Sequence, residues 1–151
     1  MSHIPELLAQ MLAEGFQASV DDDGDLRLKY EGMTYALCFD ADDALFSKLV
    51  LPNVWQLDSE PEFSRALAAV DAVNRRLKLV KAHTIHDQVW LSIELWLPDP
   101  AGWGPLLPRA LRSLSHGVHL LTEQMRAAPA TQHKFSKGNV SSGEVNVRSA
   151  S

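Results

Sequence analysis

The sequence predicts an α+β protein, an antiparallel sheet with helices packed on it, in the order helix, three-strand meander, helix, two-strand hairpin, helix. Three observations predict it. Apolar and polar residues alternate with period two in several stretches, as in strands with one buried face. Apolar residues recur at three- and four-residue spacing in three others, as on one face of a helix. Short Asp- and Gly-bearing turns join the first strands, which makes a meander and not a crossover sheet.

Taken in order, Ile4, Leu7, Leu8, Met11 and Leu12 line one helical face over residues 3–14, and Gly15 is a stop signal. Asp21-Asp22-Asp23-Gly24-Asp25 is a turn, since Asp and Gly tolerate left-handed backbone. Its Gly precedes Asp25, so the register of an EF-hand loop fails. Leu26, Leu28 and Tyr30 alternate with Arg27 and Lys29 in a first strand; Glu31-Gly32 leads into a second, Met33 to Phe39. A turn at Ala41-Asp42-Asp43 precedes a third, Leu45 to Leu51, ending at Pro52. Ser59 with Glu62 forms a capping-box pattern, and Pro61 suits a first turn, so a second helix runs to about Arg75. Phe63, Ala66, Leu67, Val70 and Val73 are its expected buried positions. Leu77 to Ile85 and Gln88 to Leu97 read as a hairpin turning near His86-Asp87. Val89, Leu91, Ile93, Leu95 and Leu97 share one face of the second of these strands; Trp90, Ser92, Glu94 and Trp96 share the other. A loop from Pro98 to Pro105 precedes a last helix, Leu106 to Met125. Residues 1–126 are thus one domain. Residues 127–151, rich in Ser, Ala, Gly and Asn, read as a flexible polar tail, in which Val145 and Val147 are the only hint of a strand.

A chain of 151 residues with 46% apolar residues is long enough to bury a core. Its formal charge of −5 is the wrong sign for a nucleic-acid or anionic-membrane binder. Cys38 is a single cysteine inside an apolar run, where a buried and inert thiol is expected and no internal disulfide can form. With no basic, apolar leader at Met1–Glu6 and no apolar run of bilayer length, the expected location is the cytoplasm.

No phosphate-binding glycine loop, dinucleotide fingerprint or nucleophile elbow occurs, so nothing points to an enzyme or calls for a cofactor. The expected partner is another protein. Trp90 and Trp96, opposite the aliphatic stripe of their strand, and Trp55 and Trp103, in loops beside Pro and Gly, are the candidate partner-binding residues. Leu107, Leu111, Leu114, Val118, Leu121 and Met125 are spaced like the a/d seam of a coiled coil. Such a seam either covers the protein's own sheet or builds a homodimer, so Leu107, Leu111, Leu114, Val118 and Leu121 are dimer candidates. The alternative function is a metal sensor or metal-dependent hydrolase using His83, His86, His116 and His119, two pairs at three-residue spacing. These pairs lack the Cys–His cluster or H-E-x-x-H pattern of a complete site, and no metal ligand is assigned.

The order of elements resembles the type III secretion chaperone-like fold. Within it, Val73-Asn74-Arg75-Arg76-Leu77-Lys78-Leu79-Val80-Lys81-Ala82 is similar to the N-x-x-L-x-x-x-K junction between helix and strand in the YbjN family, described as bacterial sensory-transduction regulators. The opening helix, Gly15-Phe16 and the acidic turn are also similar, and the resemblance spans about residues 3–126. It implies a small acidic protein, often dimeric, with no catalytic residues to carry over. The Trp103 loop and the polar tail depart from the pattern.

Overall fold

A computed structural model describes residues 4–127. The expected tail, with Val145 and Val147, lies outside them apart from Ala127. The elements are α1 (Ile4–Ala13), β1 (Gln17–Val20), β2 (Leu26–Tyr30), β3 (Met33–Asp40), β4 (Asp43–Gln56), α2 (Glu60–Arg76), β5 (Val80–Ile85), β6 (Gln88–Trp96), a 3₁₀ turn (Pro100–Gly102) and α3 (Trp103–Arg126). The six strands form one antiparallel sheet in the order β1-β2-β3-β4-β6-β5. The α+β class is as expected, with one strand more than the sequence suggests. The extra strand, β1, has four residues, none buried, so no alternation marks it.

Turn chemistry sets the registers. Glu31 and Gly32 both have positive φ, 49° and 78°, as a two-residue hairpin with the right-handed twist of its strands requires. β4 does not end at Pro52 but runs on to Gln56. Its pairing with β6 shifts between Leu51 and Trp55, and Asn53 has a φ of 47°. A bulge accommodates the missing proline N–H inside a central strand.

The registers also define the faces. Leu26, Leu37, Leu49, Ile93 and Val80 are aligned across β2, β3, β4, β6 and β5, and Leu28, Tyr35, Leu51, Leu91 and Ala82 lie on the same side. These residues form a single core with Leu7 and Met11 of α1, Ala66, Ala69 and Val73 of α2, and Leu107, Leu111, Leu114, Leu121 and Met125 of α3. The helices therefore cover one side of the sheet. α2 presents small residues to its neighbours; Ala69 and Ala72 are buried where Leu67, an expected core residue, is exposed. The helix axis comes close to the sheet on the alanine side, and the leucine is rotated into solvent.

The junction that follows α2 is tied to the sheet by one side chain. Asn74 Oδ1 accepts from the Ala82 N–H at 2.7 Å, and its Nδ2 donates to the Ala82 carbonyl at 3.1 Å. Among the described strands β5 pairs only with β6, so this amide occupies main-chain groups on the outer margin of β5.

Candidate functional site

With the helices on one side, the other face of the sheet is uncovered by any described element. Phe46 pairs with Trp96, Lys48 with Glu94, Val50 with Ser92, Ser92 with Lys81, and Trp90 with His83 across β4, β6 and β5 on this face. Trp96 stands out from it, 79% exposed, beside a shallow depression lined by Phe46, Glu94 and Leu95. Trp96 closes β6, past the last β5 partner at Ile93, so this apolar area lies toward one end of the open face; large apolar area left in water is the usual mark of a protein-interaction surface.

Trp90 is half-buried on the same face, and its Nε1–H donates to Gln88 Oε1 at 2.8 Å. The His83 ring lies 6.4 Å from it, tilted by 51°. Val50 and Ser92 are buried here although they do not belong to the helix-covered core. Both are short side chains in a row of longer ones. Two polar atoms on this face, Ser92 Oγ and His83 Nδ1, are buried with no hydrogen-bond partner among the described residues. Burial, then the Lys81 ammonium, hold His83 below the ordinary histidine value, with Glu94 pulling the other way. The ring is thus kept neutral. Lys81 bridges Glu94 at 3.2 Å across the strands, an exposed pair of small energetic weight.

Cys38 is half-buried on this face, opposite Lys48. Burial, then the Asp25 carboxylate, push its thiol up to about 11, so it is protonated and a poor nucleophile at neutral pH.

The other two candidate tryptophans lie elsewhere. Trp55 is on the helix side, half-buried, with its Nε1–H donating to Glu62 Oε1 at 2.7 Å. Glu62 Oε2 accepts from the Asp58 N–H at 2.8 Å, while the Glu62 N–H donates to Ser59 Oγ. The serine half of the capping box is therefore present, while its glutamate accepts from the N–H one residue before the N-cap and from an indole. Trp103 is not in an exposed loop at all. It is the first residue of α3, 0% exposed, with its Nε1–H donating to Ser47 Oγ at 2.7 Å. As a surface anchor it is corrected to a core residue. Its Pro and Gly neighbours suggested a loop, but Pro105 falls in the first helical turn, where a missing N–H costs nothing.

The a/d seam is likewise turned inward. Leu107, Leu111, Leu114 and Leu121 are fully buried in the monomer and only Val118 is partly exposed, so the side chains taken as dimer candidates are occupied by their own sheet. The histidine pairs do not converge: among the described residues no group of three or more His, Cys, Asp or Glu could hold a metal ion. His116 and His119 are exposed on α3, whereas His83 faces the open side of the sheet.

No family model and no curated protein matches the chain. Among solved structures, it is similar to the type III secretion chaperone SycH of Yersinia pestis, determined in complex with a stable fragment of YscM2. The TM-score is 0.51 and the identity 11%, over 78% of this chain and 98% of that one. At that identity the likeness shows the fold, which is that of a type III secretion chaperone. No helix among the described residues is long and apolar enough to cross a membrane.

Proposed function

We propose that this protein is a non-catalytic, chaperone-like binder that holds an apolar segment of a client or regulatory partner against the open face of its sheet. The observation that carries this reading is Trp96, 79% exposed beside Phe46 on a face that no described helix covers. Trp90, with its N–H already satisfied by Gln88, offers apolar area next to it. Support also comes from the fold, shared with a chaperone that was solved with a protein fragment bound. Trp96 and Trp90 are the primary binding residues; Trp55 contributes at most its exposed edge, since its indole N–H is held by Glu62.

A closer kinship with the YbjN group is part of this reading. It is supported by the Asn74–Ala82 clasp, which gives the Asn of the N-x-x-L-x-x-x-K pattern a structural task. A cytoplasmic, homodimeric state completes the proposal; light scattering on the purified chain measures the second.

The test is affinity capture from the native cell with the wild-type chain, followed by mass spectrometry and titration of the captured partner. Trp96→Ala lies at an exposed position and leaves the fold intact. It should weaken the partner by about tenfold or more, as expected of an exposed aromatic anchor. Unchanged affinity in both Trp96→Ala and Trp90→Ala removes the sheet face from consideration.

A further inference from the structure

A second concave surface lies on the helix side, between the α2–β5 junction and α3, and its chemistry differs from that of the open face. It has a volume of about 970 Å³ and is open to solvent along one side. Leu77, Ile93 and Leu95 make an apolar floor, and Arg76, Lys78 and Arg109 stand around it. His116 adds an imidazole, and among the described residues no Asp or Glu lines the groove. This grouping occurs in a chain whose formal charge is −5. The three permanent cations are exposed and, among the described residues, have no ion-pair partner.

Two leucines are spent on the groove's lips. Leu79 is 69% exposed and adopts a φ of 66°, a left-handed conformation that is costly for a γ-branched residue. Leu106, on α3, is also exposed. Local strain that displays a leucine in water gains nothing for the free monomer; it is recovered when something covers the side chain.

We propose that this groove docks an acidic, leucine-bearing helical segment of a partner protein, its apolar stripe on the floor and its carboxylates toward Arg76, Lys78 and Arg109. The proposal rests on the protein-binding reading above and adds a second contact of defined chemistry. Charge selects the occupant. The chain's own residues 128–151 carry Lys134, Lys137 and Arg148 against Glu144 and have the wrong sign. The groove's open side suits an amphipathic helix laid along it, with anchors at three- and four-residue spacing.

The experiment uses the full chain and a fluorescein-labelled synthetic peptide with leucines at helical a/d spacing and glutamates at most other positions, read by fluorescence anisotropy. The peptide should bind, and binding should weaken as salt rises. A matched peptide with lysine for glutamate should bind at least about tenfold more weakly, as should the glutamate peptide to the double variant Arg76→Glu/Arg109→Glu. Both arginines are exposed; a thermal melt confirms folding, and Arg109→Gln provides a milder second variant. Lys29→Glu, a charge reversal on β2 away from the groove, should leave binding unchanged. Equal affinity for the two peptides, indifference to the arginine variants, or binding of sodium laurate in place of the peptide would each overturn the proposal. The two readings fail separately. A natural partner lost from Trp96→Ala but retained by Arg76→Glu/Arg109→Glu sinks the groove and spares the sheet face, and the reverse result does the opposite.

Discussion

The Trp103 indole N–H and the Ser47 hydroxyl are withdrawn from water together, and each depends on the other. Ser47→Ala leaves a buried donor without an acceptor, which should cost about 1–3 kcal/mol. Trp103→Ala also empties the space the ring fills and should cost about 3–5 kcal/mol. Chemical denaturation of the two variants measures both, and a neutral Ser47→Ala would mean that water reaches the indole. His83 makes a prediction in pH. Its folded-state pKa lies below the ordinary 6.5, so on acidification the unfolded chain takes up the proton first. The stability that comes from keeping the ring neutral is therefore complete above about pH 6.5 and is lost as pH falls toward the folded-state value. The melting temperature should drop on acidification more steeply in wild type than in His83→Gln; parallel curves would show that the ring is freely protonated in place. Trp96 and Trp90 were legible at this scale because strand alternation assigns their face directly. Trp103 was not, since Gly102, Gly104 and Pro105 favour a loop in any local reading, and only the Ser47 partner, 56 positions away, shows otherwise.

At the scale of elements, α3 and the α2–β5 junction decide how tightly the layers close. A Cβ on Gly117 would come within 3.2 Å of Leu91 Cδ1 and 3.3 Å of Val80 Cγ1, so α3 is packed tightly against the sheet there. Gly117→Val should push the helix outward and destabilise by about 1–3 kcal/mol, against the usual gain from removing a helical glycine. Asn74→Leu removes both bonds to Ala82 and uncovers the β5 margin. A loss of about 1–2 kcal/mol should accompany increased self-association by light scattering. A variant that melts like wild type and stays as dispersed would mean that the clasp is incidental. Most helices and strands were readable from period alone. β1 was not, because Gln17–Val20 is an exposed edge strand with no buried face to print on the sequence. Nor was the second half of β4, where Pro52 reads as a terminator and the bulge that tolerates it depends on β6. The same a/d spacing describes a seam against a partner helix and one against a sheet, so spacing alone does not distinguish the inward turn that Leu107, Leu111, Leu114 and Leu121 take.

For the whole molecule, the core joins all three helices to every strand except the short first one, which adds only the partly buried Ala18. We expect residues 1–126 to fold as a unit. A chain truncated after Arg126 should show the same urea midpoint and the same slope as the full chain, because the slope follows the surface exposed on unfolding and the midpoint the stability divided by that slope. A lower midpoint would assign residues 127–151 a share in stability. Charge is divided across the surface as well. Acidic residues collect at hairpin tips and helix starts, such as Asp21–Asp25 and Glu60–Glu62, while Arg76, Lys78 and Arg109 gather at one groove. A net acidic chain can thus present a locally cationic site, something a composition count hides.

The four indoles also give the molecule an optical consequence. Trp103 sits dry against Ser47, whereas Trp96 is bathed in solvent, and Trp55 and Trp90 fall between. Emission at short wavelengths will then follow melting of the interior, and the red shoulder, quenchable by iodide, will follow whatever settles over Trp96. Occupancy and unfolding can be recorded in one cuvette without a label.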